Sequence, residues 1–170
     1  GVGRNLQDHL QVRVVFKLNR PISVNDEVRS LFGRTMAGIQ FMLTRRGPLA
    51  MGASQACAFV RTRPGLEAPD VQYHVQPLST DKLGDGLHHF SGVTMSTCQL
   101  RPESRGEILL KSANPFDYPA IHPNYLATET DRATQVAGMR FSRRIAAGQR
   151  MAEVIESEYA PGAHVQTDEE

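Results

Sequence analysis

Residues 91–112 read SGVTMSTCQLRPESRGEILLKS. Two runs suited to strands, 91–102 and 107–112, flank the turn signal PESRG. So short a connection predicts an antiparallel hairpin, because parallel strands need a crossover of a dozen or more residues.

The flanking sequence points the same way. VQYHVQPLS (71–79) alternates, with Val71, Tyr73 and Val75 on one side and Gln72, His74 and Gln76 on the other. LQVRVVFKL (10–18) sends Val12, Val14, Phe16 and Leu18 one way, and Gln11, Arg13 and Lys17 the other. A shorter strand is expected over 56–61. Asn25 is expected to cap a helix with Val28, Leu31, Phe32, Thr35, Met36, Ile39, Met42 and Leu43 at helical spacing. Gly33 weakens the middle of that helix, and Gly47-Pro48 stops it. DKLGDGLHHF (81–90) reads as a loop. NPFDYPAIHPNYL (114–126) carries three prolines and must be extended or looped. Thr128 and Asp131 form a T-x-x-D cap for a second helix, with Ala133, Ala137, Phe141 and Ile145 every four residues and Val136 beside them. Arg143 and Arg144 suit its C-terminal end, Gly148 lies just beyond, and a shorter helical turn is expected over 151–155. Strands that come mainly in sequence plus two substantial helices define an α+β fold: a largely antiparallel sheet flanked by helices.

The chain has 170 residues, 19 Lys plus Arg against 18 Asp plus Glu, and a net charge of +1. One domain of this size can bury a core. The charge balance gives no electrostatic case for nucleic acid or an anionic membrane as partner. No run of about 18 apolar residues would span a bilayer, and no secretory signal pattern opens the chain. A start inside a glycine turn, without methionine, reads as a piece of a longer protein. Cys57 and Cys98 sit in apolar or alternating stretches and read as buried free thiols.

Complete catalytic signatures are missing from the sequence. There is no G-x-S-x-G elbow, no H-E-x-x-H zinc helix, no P-loop and no paired-carboxylate pattern. GVGRNLQDHL (1–10) fails as a dinucleotide cradle, because Leu6 takes the third glycine position and no strand precedes it. Gly1 and Gly3 read instead as a tight turn, with Asn5, Gln7, Asp8 and His9 in a hydrogen-bonded loop. His88 and His89 point apart, Asp81 and Asp85 lack the further oxygens of a calcium loop, and His122 reads as structural, so no metal site is expected. Gln72, His74 and Gln76 either face solvent or line a polar pocket, and spacing leaves both open.

GVGRNLQDHL resembles the G-V-G-x-N-L-Q-D-H segment of glucose–methanol–choline (GMC) flavoprotein oxidoreductases. RPESRGEILLKSANPFDYPAIHPNYL (101–126) is similar to a second landmark of that family, and PDVQYHVQPLS and QTDEE fall where choline-dehydrogenase-like members have similar runs. The resemblance implies an FAD-dependent enzyme that oxidises the CH–OH group of a small-molecule alcohol by hydride transfer to flavin. It implies that residues 1–170 are the single substrate-binding domain roofing the flavin, with 1–10 as the crossover loop from the flavin domain of the same polypeptide. The catalytic histidine would lie in an H-P-x-G-T segment outside this chain, so no residue here is assigned as catalytic and the chain alone should be inactive. Asn5, Asp8 and His9 match the motif near the cofactor, and Gln72, His74 and Gln76 become pocket-wall candidates. Choline-type members tend to carry a glutamate where this chain has Gln55, which disfavours choline and favours a neutral alcohol or a polyol. The expected location is cytoplasmic or membrane-peripheral. The competing reading is a stand-alone, non-catalytic module that binds a small ligand.

Overall fold

The computed structural model describes every residue except 83, so the loop reading at that position lies outside the described residues. Among the described residues, eight strands form two antiparallel sheets. The larger has the order β3-β4-β5-β2-β8, built from β2 (Gln11–Leu18), β3 (Ala56–Val60), β4 (Val71–Gln76), β5 (Gly92–Gln99) and β8 (Ile155–Ala160). The smaller has the order β1-β6-β7, from β1 (Arg4–Leu6), β6 (Gly106–Leu109) and β7 (Ala120–His122). The helices are α1 (Val24–Val28), α2 (Leu31–Thr44), α3 (Glu129–Ala146) and α4 (Gln149–Ala152).

Period-two alternation builds the larger sheet as expected. Val14 and Phe16 from β2, Val93 and Met95 from β5, and Ala146 from α3 form the buried core, with Val75, Leu18, Met139 and Ile145 against it. Val71 and Tyr73 are fully buried on the same face. The phenol of Tyr73 donates to the carbonyl of Gly138 in mid-helix, and its ring lies 5.5 Å from that of Phe141. Burial raises the Tyr73 pKa to about 12, so the phenol stays a donor. A Cβ on Gly138 would stand 3.3 Å from the Thr97 side chain, which marks a close approach of α3 to β5.

The expected hairpin between 91–102 and 107–112 does not form. β5 pairs with β2 and β4, whereas β6 pairs with β1 and β7. The cause is Asp131, in the first turn of α3 and only 1% exposed. Its carboxylate accepts hydrogen bonds from Gln99 Nε2 (2.8 Å), the Glu103 amide (2.9 Å), the Ser104 amide (2.8 Å) and Ser104 Oγ. The PESRG turn is thereby folded onto the helix N-terminus, and the chain leaves for the second sheet. Burial opposes the charge, but these donors outweigh it and hold the pKa at about 2. Thr128 does cap α3, accepting from the Asp131 amide, while the Asp131 carboxylate turns to the loop.

Other expectations shift in detail. The buried stripe of α3 is Asp131, Thr134, Gln135, Gly138, Ser142 and Ala146, not the Ala133–Ile145 series, because close approach to the sheet selects small and hydrogen-bonding residues. Asn25 lies inside α1 rather than capping it. Its side chain bonds Ser79 and the carbonyls of His88 and Phe90. The helical run breaks at Ser30, which caps α2 through the Gly33 amide. The apolar spacing of α2 is real but faces outward: Leu31, Phe32, Met42 and Leu43 are all exposed, and only Ala37 is buried. Cys98 is buried but Cys57 is exposed, since β3 is an edge strand. The turn expected over 151–155 ends earlier, as α4, and β8 begins at Ile155.

Candidate functional site

The face of the larger sheet turned away from α3 is the candidate site. Registers place its side chains in rows across the strands. Phe59, Gln72, Cys98 and Gln11 make one row, and Cys57, His74, Ser96 and Arg13 the next. Gln76, Thr94 and Val15 follow, then Gly92 and Lys17 opposite Ser157. Gln72, His74, Gln76 and Arg13 are each half-buried.

The far end of this face is closed by the loop before β5. Thr94 Oγ1 donates to the Leu78 carbonyl at 2.8 Å. His88 stacks on Phe90 (4.6 Å between rings) and meets the Tyr159 ring edge-on, and Lys17 Nζ lies 5.0 Å from the Phe90 ring. His88 Nε2 is 3.0 Å from Asp81 Oδ1, which keeps this histidine in a local pair rather than a metal cluster. Among the described residues no group of three His, Cys, Asp or Glu could hold a metal ion.

The near end is set by the N-terminal loop. His9 Nδ1 lies 3.4 Å from Cys98 Sγ, and Asp8 accepts from the Tyr125 hydroxyl and from the His9 amide. The Tyr125 bond leads in holding the Asp8 carboxyl below the usual range, while burial, then Asp8, push the Cys98 thiol up. Of the residues expected from sequence, Gln72, His74 and Gln76 therefore share one face, and His9 with Asp8 reaches it through Cys98. Gln55 is exposed just before edge strand β3, its amide donating to the Gly52 carbonyl of its own loop and its backbone N–H to Val75. Asn5 is not part of this face. It sits in β1 with φ of 60°, beside an open hollow of about 430 Å³ shared with Arg4, Arg105, Glu107, His122 and Asn124.

Sequence reading passed over Ser96 and Arg13. Arg13 was visible in the polar half of the β2 alternation. Ser96 is fully buried, and its Oγ has no hydrogen-bond partner. Unpaired buried hydroxyls are uncommon, and Thr97 Oγ1, on the face packed against α3, is a second one in this strand.

A flavin cradle is a separate question, and the opening glycines answer it. Gly3 has φ of +78°, its carbonyl accepts from the Ile108 amide at 2.6 Å, and a Cβ there would meet the Ile108 carbonyl oxygen at 2.2 Å. The turn is committed to the small sheet, so these residues do not form a pyrophosphate cradle.

Solved structures share this fold. A formate oxidase structure from Aspergillus oryzae, from work on its FAD modification, superposes with a TM-score of 0.83 at 22% identity, covering 99% of this chain and 34% of that one. A pyridoxine 4-oxidase superposes at 0.71 with 21% identity, covering 95% and 28%. The fold is thus one that this chain shares with part of each of those proteins.

Residues 102–170 match the GMC oxidoreductase family. Over its whole length the chain is 39% identical to the oxygen-dependent choline dehydrogenase of Vibrio vulnificus and 36% identical to the mitochondrial choline dehydrogenase of mouse, covering 30% and 28% of those proteins. The chain is thus similar to GMC oxidoreductases along its whole length. It spans about 30% of the length of the curated relatives it matches.

Proposed function

We propose that residues 1–170 form the substrate-binding roof of an FAD-dependent oxidoreductase acting on the CH–OH group of an alcohol, with the open face of the larger sheet as pocket wall. One observation carries this reading: a half-buried polar face, built on strands locked from behind by α3, whose central hydroxyl at Ser96 is fully buried without a partner. The redox chemistry belongs to the flavin, held by the rest of the polypeptide. Residues of this chain bind the substrate, orient it and keep water out. Gln72, His74 and Gln76 are the binding side chains, and Gln55 borders them at the sheet edge. Asp8 and His9, with Asn5 on the small sheet, fix the loop at the junction with the flavin-binding part. No helix among the described residues is long and apolar enough to cross a membrane.

The alcohol in this reading is not a quaternary ammonium. The relatives are named for choline, but the open face carries Arg13, Lys17 and His74 and, at its register positions, no carboxylate among the described residues.

The test compares the full-length protein with this chain alone. A yellow full-length protein whose flavin is bleached anaerobically by alcohols, beside a colourless and inactive chain, supports the proposal. A full-length protein that binds no FAD refutes it.

A further inference from the structure

We infer that the row Arg13–Ser96–His74 recognises a carboxylate, so that the substrate is an alcohol bearing an anionic group at its far end; this rests on the open face being the pocket wall. Arg13 on β2 stands opposite Ser96 on β5, which stands opposite His74 on β4. Directly opposed residues of antiparallel strands have Cβ atoms about 5 Å apart, so the three donors span about 10 Å across the middle of the face.

Among the described residues only two arginines are half-buried rather than exposed, Arg13 and Arg143, and Arg143 has a carboxylate partner in Glu158. Arg13 is half-buried, and none of the ion pairs or side-chain hydrogen bonds of the described residues includes it. A half-buried guanidinium without a counter-charge is unfavourable, and its planar fork matches a carboxylate in two-point contact. The Ser96 hydroxyl beside it also lacks a partner, and leaving a buried hydrogen-bonding group unsatisfied is unfavourable. One bound carboxylate would satisfy both, with the His74 ring at its other side. The flanking rows supply uncharged groups: Gln72, Cys98 and Gln11 on one side, Gln76 and Thr94 on the other.

A carboxylate could come from the substrate or from a side chain elsewhere in the full-length protein, and kinetics separate the two. Anaerobic flavin reduction in the full-length holoenzyme is followed with γ-hydroxybutyrate, n-butanol and choline. The expected result is a higher kcat/KM for γ-hydroxybutyrate than for n-butanol, and little reduction by choline. Arg13→Gln should lower the γ-hydroxybutyrate to n-butanol ratio by about 10-fold or more, as loss of a charged hydrogen bond implies. Arg13→Lys should keep part of the ratio, and Ser96→Ala should lower it in a second, independent variant. Choline preference, or a ratio unmoved by Arg13→Gln and Ser96→Ala, overturns the inference and assigns Arg13 to an internal carboxylate. Failure of every alcohol to bleach the flavin would instead strike the pocket-wall reading beneath it.

Discussion

The Tyr73 hydroxyl donates its proton to the main-chain carbonyl of Gly138, so the strand that presents Gln72, His74 and Gln76 is anchored through its opposite face to the middle of α3. Tyr73→Phe keeps the ring packed against Phe141 and removes only this bond. The expected loss is about 1–2 kcal/mol, because the buried carbonyl keeps its helical partner but loses a second donor. Urea unfolding checks it, and a loss below about 0.3 kcal/mol would mean that packing alone seats the helix.

Asp131 makes the fold acid-sensitive. Its carboxyl titrates near 2 in the folded chain against an ordinary 3.8, so the folded state favours the charged form. The associated stability is complete above about pH 4 and is lost as pH falls toward 2. At about 1.4 kcal/mol per unit, it amounts to roughly 2 kcal/mol. Asp131→Asn should destabilise the neutral protein by a similar or larger amount and flatten the decline between pH 4 and 2. Circular dichroism during urea titration at several pH values tests both effects.

Gly106 should tolerate no side chain. A Cβ there would lie 2.1 Å from the His122 carbonyl oxygen and 2.6 Å from that of Pro123. Gly106→Ala is expected to push β7 off β6 and cost about 2–4 kcal/mol, in the range for strain and overpacking. Faster amide exchange confined to β6 and β7 would confirm where the damage falls.

Arg143 and Glu158 clamp α3 to edge strand β8 with two contacts of 2.8 Å, both side chains largely shielded. Glu158→Gln leaves the guanidinium short of a charge partner, and a loss of about 1–3 kcal/mol is expected. Thermal melts should show it persisting in high salt, unlike the loss of an exposed pair.

His74→Ala in the full-length flavoprotein should raise KM for the preferred alcohol by about 5- to 50-fold, the range for one lost polar contact, with flavin content intact. Unchanged KM and kcat would remove His74 from the pocket wall.

Alternation along 10–18 and 71–76 was enough to place β2 and β4 and to sort their faces, because one side of each is sealed by apolar contacts. Pairing was not legible. The turn after β5 looks like a hairpin locally, and what redirects it is a carboxylate about thirty residues downstream. The face of α3 was misread because hydrophobicity does not register close packing. Thr134, Gly138 and Ser142 are buried since they are small, while Phe141 leans to the side against Tyr73. β8 gave no signal, as IESEYA holds two glutamates, and pairing to β2 rather than composition makes it a strand. In the candidate site, the glutamines and His74 stood out as polar residues in a strand pattern. Ser96 could not, because an unpartnered hydroxyl is a property of its neighbours.

Helix α2 shows where this architecture has room to change. Its substantial contacts are with α1 and the 3-10 turn Pro48–Ala50, not with a strand, and its apolar side chains other than Ala37 are not buried. Residues between Ser30 and Gly52 could be shortened, lengthened or exchanged while every strand ladder keeps its register. The segment is mounted between β2 and β3 as an appendage, so variation there would alter what surrounds the sheet without rebuilding its strand ladders.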